Sequence, residues 1–180
     1  MRKLVSVLAA TLLTGCASIA GAGSVADVAV INRTTGERLQ VYRHGGRMYV
    51  EGKAGERYAV ELRNRTWLDA TVCDLLRRHR TALVLVDMSY MPHPAELASR
   101  LDLLTTDFLY ARLIGDRKAI EARTKTFDKL VLDQSARLEA WGRLLASLRA
   151  RVDRGFIYAN NHYAGHAPDT IRRLMELVGD

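Results

Sequence analysis

The stretch Ala82-Leu-Val-Leu-Val-Asp87 decides the fold. Five apolar residues in a row, without polar alternation, describe a strand covered on both faces, as in a parallel sheet packed by helices. Outward from it, strand and helix patterns alternate. Upstream, Asp69 is placed to cap a helix running to about His79, with Val72, Leu75, Leu76 and His79 on one stripe. Downstream, Pro94 opens a short helix carrying Leu97 and Leu101, and Phe108–Ile114 is a further strand. A loop from Gly115 to about Asp133 leads into a long helix with Leu138, Trp141, Leu144, Leu145, Leu148 and Val152. Phe156–Asn160 is the last strand, and Pro168 opens a last helix with Ile171, Leu174, Met175 and Val178. With Tyr58–Arg63 as the first strand, four consecutive β/α units result. That alternation predicts an α/β fold with a parallel sheet and right-handed crossovers. At 180 residues the chain is shorter than a complete (β/α)₈ barrel, which typically takes ~250.

Ahead of these units, residues 28–60 read as extended. Arg38–Tyr42, Arg47–Val50 and Arg57–Leu62 are rich in Tyr and Val, and His44-Gly45-Gly46 and Gly52-Lys53-Ala54-Gly55 are turn signals between them. A three-stranded antiparallel meander is predicted.

The first 16 residues have a different character. Arg2 and Lys3 precede an uncharged apolar run, Leu4–Leu13, too short to span a bilayer as a helix. The run leads into Leu13-Thr14-Gly15-Cys16, which resembles a bacterial lipoprotein signal whose cysteine becomes the acylated N-terminus. Small side chains let the extended backbone enter a peptidase, and the Cys16 thiol accepts the lipid. Ala17 follows where an Asp would mark retention at the inner membrane, so the resemblance implies an outer-membrane or periplasmic lipoprotein, held to the membrane by its acyl chains. The organisation expected is a signal over 1–16, a small-residue tether over 17–27, the meander over 28–60 and the β/α units over 61–180.

Composition narrows the function classes. Hydrophobic residues make up 48% and charged residues 26%, which is globular and not disordered. The net charge of +7 includes Arg2 and Lys3, and from Glu61 onward 19 basic residues face 16 acidic ones in alternation. This is a solvated surface, compatible with anionic partners but without a dedicated nucleic-acid groove. The two cysteines form no Cys-x-x-Cys pair, and Cys73 reads as a buried helix residue.

Four stretches carry a family resemblance. These are Glu61-Leu-Arg-Asn-Arg-Thr-Trp67-Leu68, Ala82-Leu-Val-Leu-Val-Asp87, Asp107-Phe-Leu-Tyr-Ala-Arg112-Leu-Ile-Gly115-Asp116 and Asn160-Asn161-His162-Tyr163-Ala-Gly165-His166-Ala-Pro168. In this order they resemble the C-terminal half of the YecE-like family (domain of unknown function 72), over about Glu61 to Leu177. The resemblance implies part of a TIM-type barrel, and the family's biochemical role is not established. The family's first four strands have no counterpart in the sequence, which reads as a junction near Asn64. The family is cytoplasmic in character, so the barrel part alone implies a cytoplasmic protein, against the signal.

In β/α folds functional groups collect at the C-terminal strand ends. Here those ends hold Glu61, Arg63, Asp87, Arg112, Asn160, Asn161 and His162. Two arginines beside carboxylates and amides can hold a phosphate or carboxylate through the planar guanidinium fork. The same residues can equally be an ion-pair network closing the strand ends. His162 and His166 have helical metal-pair spacing, but Gly165 and Pro168 make the segment a loop, so no metal is expected. No glycine-rich phosphate loop or nucleophile elbow occurs, and no cofactor is expected. The 115–133 loop, with five basic and four acidic residues, reads as a solvated excursion, with a lid as the other reading. Two functions follow. One is a lipid-anchored protein without a complete active site. The other is a homodimer that rebuilds a barrel and acts on a phosphorylated or nucleic-acid substrate.

Overall fold

The computed structural model describes residues 28–44, 47–50, 52 and 55–179. The signal with Cys16, the tether, Gly45 and Gly46 of the first turn, and Lys53 and Ala54 of the second lie outside the described residues.

Among the described residues eight strands are present: β1 (Val28–Asn32), β2 (Arg38–Leu39), β3 (Val41–His44), β4 (Arg47–Val50), β5 (Tyr58–Leu62), β6 (Ala82–Met88), β7 (Phe108–Gly115) and β8 (Arg154–Ala159). The helices are α1 (Ala70–Arg78), α2 (Pro94–Ala98), α3 (Arg117–Glu121), α4 (Ser135–Leu148) and α5 (Ala167–Val178). Six strands form one sheet in the order β2-β1-β5-β6-β7-β8, with β5 to β8 parallel. This is the predicted partial barrel. Local signals hold its helices: the Asp69 carboxylate accepts from Val72 N at 2.8 Å at the start of α1, and Pro residues stand in the first turns of α2 and α5.

The antiparallel part is present with a different pairing. The expected strand Arg38–Tyr42 breaks at Gln40, β3 and β4 form a separate hairpin, and β5 pairs antiparallel with β1. Burial explains the choice. Ala59, Val60 and Leu62 are buried, and β5 gains a neighbour on its outer side from the apolar Val28–Asn32 run, whose Ala29, Val30 and Ile31 are buried with it.

Strand alternation gives the sheet two faces. Leu83, Leu85, Leu109, Ala111 and Leu113 pack under α1, α4 and α5 against Leu76, Trp141, Leu144 and Leu174. Cys73 lies in the same layer, as expected, and burial pushes its thiol up. Ala59, Ala82, Val84, Val86, Phe108 and Tyr110 line the inner face, where Ile31 joins them. At the N-terminal end of that face the Arg33 guanidinium lies 3.8 Å from the centre of the Phe156 ring and 5.0 Å from that of Phe108.

The segment after β7 is not a solvated excursion. Ile120 of α3 is completely buried, and the chain returns against the loop after β8, with Val131 N donating to Ala164 O at 2.8 Å. Gly115 makes this possible. It has φ +75°, and a Cβ there would stand 2.4 Å from His162 O. Gly36 has a similar φ of +73° but nothing within 4 Å of its Cβ position. Gly36→Ala should therefore cost about 1 kcal/mol of backbone strain, and Gly115→Ala at least about 3 kcal/mol, because neither backbone can yield. Urea unfolding of the two variants measures the difference.

Candidate functional site

The C-terminal ends of β5 and β7 bring three expected residues together. Glu61 is fully buried on the inner face; Arg63 Nε donates to its Oε1 and Arg112 Nη1 to its Oε2, each at 2.6 Å. Both arginines remain about a quarter exposed. One carboxylate thus fixes two guanidiniums, which a buried carboxylate needs and which pre-orients both forks. Tyr158 of β8 stands beside Arg112 in register, and its ring stacks on Tyr110 with centroids 5.2 Å apart. Tyr110 is buried, which pushes its phenol up, whereas Tyr158 is 48% exposed.

Asp87 does not join this cluster. The register sets Val86 opposite Arg112 and Asp87 opposite Leu113, so alternation turns Asp87 to the helix-covered face. There it is 1% exposed and accepts from Trp141 Nε1 and Tyr163 Oη, each at 2.8 Å, and from Arg137 Nη2. His93 Nε2 stands 3.4 Å away, while its Nδ1 accepts from Ala95 N and caps α2. Burial pushes the Asp87 carboxyl up, but His93, Arg137 and Trp141 together outweigh it and bring the carboxyl down to about 2. Burial and the Asp87 charge push the Tyr163 phenol up.

The loop after β8 is occupied by its own contacts. Asn160 accepts at its backbone oxygen from Tyr163 N, and Asn161 Oδ1 accepts from Ala167 N at 2.8 Å, tying down the start of α5. His162 Nε2 lies 3.2 Å from Glu121 Oε1, with the Phe127 ring edge-on to the imidazole. Arg117, 2.7 Å from Glu121, lowers that carboxyl below its usual range. Asn161 and His162 are therefore engaged in holding the loop, and Asn160 contributes backbone bonds to it. Sequence reasoning missed His93, Arg137, Trp141 and Tyr163 as partners of Asp87. Arg137 and Trp141 at i and i+4 were a usable signal for one helix face, but nothing local names the carboxylate they meet. Among the described residues no group of three His, Cys, Asp or Glu could hold a metal ion, and no helix is long and apolar enough to cross a membrane.

A four-stranded parallel run with charged groups at its C-terminal ends defines part of a β/α barrel. The chain belongs to the family described as protein of unknown function DUF72, which matches residues 33–180 and so begins upstream of Glu61. Its fold is similar to that of a DUF72 family protein from Thermotoga maritima, at 21% identity and a TM-score of 0.50, covering 68% of this chain and 46% of the other. A DUF72 family protein from Enterococcus faecalis is similar at 16% identity and a TM-score of 0.51, covering 69% and 49%. The chain thus spans about half the length of these relatives. No curated protein matches it.

The Asp87 contacts have a pH signature. Its carboxyl falls from an ordinary 3.8 to about 2 on folding, so it contributes about 2 kcal/mol that is fully present above pH ~4. That contribution is lost progressively as the pH falls from about 4 to about 2. In acid unfolding followed by circular dichroism, Asp87→Asn should be destabilised at pH 7 and show a flatter acid limb than the native chain.

Proposed function

We propose that this DUF72 protein is a YecE-like, exported and lipid-anchored binding protein whose strand-end cluster holds a phosphorylated, ring-bearing small molecule. The observation that carries the reading is the Arg112 guanidinium, held by Glu61 on a strand whose register partner at that position is the exposed Tyr158. A pre-oriented fork suits phosphate oxygens, and an exposed aromatic face suits a flat or sugar ring. Neither buried carboxylate suits proton abstraction. Glu61 accepts from two guanidiniums, and Asp87 is held near 2 on the other face of the sheet. Binding without a complete catalytic centre is the function this arrangement favours. Export and anchoring are supported by the Leu13-Thr14-Gly15-Cys16 motif behind its charged and apolar run.

A second reading, self-association, is favoured by the β8 edge. β8 is the last strand of the sheet, and between it and α5 runs a groove of about 560 Å³ lined by Gly155, Ile157, Ile171, Met175 and Val178. Met175 is 68% exposed. Such an edge can accept a second copy.

Calorimetric titration of the full chain with adenosine monophosphate and with inorganic phosphate tests the ligand. Arg112→Met should weaken both at least about tenfold, as expected for a lost charged hydrogen bond. Tyr158→Ala should weaken the nucleotide and leave phosphate unchanged. Unaltered affinities in both variants refute the site. For the anchor, labelled palmitate should be incorporated by cells making the native chain and not by those making Cys16→Ser; an unlabelled native chain refutes it. Sedimentation reads the second copy: a dimer should dissociate in Met175→Glu, and a native monomer ends that reading.

A further inference from the structure

We infer that the N-terminal ends of the parallel strands carry a second binding site, for a small molecule with two anionic groups. It lies at the opposite end of the sheet from Glu61, Arg63 and Arg112 and does not depend on them. A cavity of about 620 Å³ opens there, within the size range of small-molecule sites. Its walls come from the segments that lead into three neighbouring strands, with Arg57 ahead of β5, His79 and Arg80 ahead of β6, and Asp107 ahead of β7.

Arg80 is held on this wall by a helix end that ordinarily takes glycine. Thr81 N donates to Leu76 O and Arg80 N to Arg77 O, each at 3.0 Å, the paired bonds of a Schellman motif that closes α1. The motif needs one left-handed residue, and that residue is Arg80, with φ +49°. A side chain is strained in this conformation, and strained residues collect at binding sites. Here the strained residue supplies a guanidinium to the cavity.

Hydrogen-bond accounting sets the class of ligand. Asp107 Oδ1 accepts from Arg57 Nη1 at 2.7 Å and from Thr106 Oγ1 at 2.8 Å. Glu56 Oε2 accepts from Asn32 Nδ2 at 2.8 Å and from Tyr58 Oη at 2.9 Å. Both carboxylates of the wall are thus paired, and Asp107 aims the Arg57 fork. Arg80 and His79 are exposed, and among the described residues neither side chain has a partner. The spare groups are therefore donors, on Arg80, on Arg57 and on the His79 ring, and a ligand has to bring the acceptors. Two guanidiniums on walls that lead into different strands suit two phosphoryl or carboxyl groups on one molecule.

Calorimetric titration of the full chain with inorganic pyrophosphate and with citrate tests the site, together with peptide mapping after phenylglyoxal modification. At least one of the two should bind and protect Arg80 from the reagent, and which one binds names the anionic group. Arg149, exposed after α4, should be modified equally with and without it. Arg80→Gly should weaken that ligand at least about tenfold, as expected for a lost charged hydrogen bond, while its urea midpoint holds or rises. Arg80→Asn, which also suits the left-handed position, should behave alike. No binding by either ligand, equal protection of Arg149, or undiminished affinity in both Arg80 variants would overturn the inference. Protection of Arg80 that vanishes in Arg112→Met also overturns it, because the anion then belongs to the strand-end cluster. Arg80 protection together with nucleotide affinity unaltered in Arg112→Met and Tyr158→Ala ends the strand-end reading and keeps this site.

Discussion

Three parts of the chain that are far apart in sequence converge on the carboxylate of Asp87. It stands one residue before the end of β6, and it accepts from Tyr163 in the loop after β8 and from Arg137 and Trp141 on α4. A carboxylate that is 1% exposed requires such partners, because an unpaired buried charge costs several kcal/mol. The partners are equally constrained. Tyr163 and Trp141 are fully buried, and without Asp87 each would leave a polar hydrogen unsatisfied. The same turn that carries Tyr163 also receives Gln134 at the start of α4, through Nε2 to Tyr163 O at 2.9 Å. The β8 loop, α4 and β6 are thereby locked in one arrangement, and the strand ends on the other face inherit their positions from it.

The two buried carboxylates divide the work between the faces of one sheet. Asp87 is tied to aromatic and helical partners, and its role is cohesion. Glu61 is tied to two side chains that reach solvent, and its role is to aim them. Their positions differ by the parity of the strand alternation alone, since Glu61 shares a face with Ala59 and Asp87 with Leu85.

Much of the architecture was legible in the sequence because its signals are local. The run Ala82–Val86, the Asp69 cap and the prolines at 94 and 168 each specify their element without help from distant residues. The pairing of β5 with β1 was not legible, since the choice between two apolar neighbours is made by burial across the sheet and not by turn residues. The cluster of Glu61, Arg63 and Arg112 followed from strand ends and alternation. The exclusion of Asp87 did not, because β6 is buried on both faces and so carries no hydropathy mark of which side is inner. Likewise Gly115 read only as the start of a loop, whereas its role depends on the backbone of His162, 47 residues later in the chain.

The reversed direction of β1 makes the two margins of the sheet unequal. Beside β8, backbone groups point outward from a strand that runs with its neighbours, so a further strand of the same sense can be added there. Beside β5, the place that a same-sense strand would take is filled by β1, with β2 behind it. Among the described residues the sheet therefore ends on a short antiparallel strand at one margin and on a parallel strand at the other. A strand that continues the parallel run can join it at β8, and beside β5 only if β1 is first displaced.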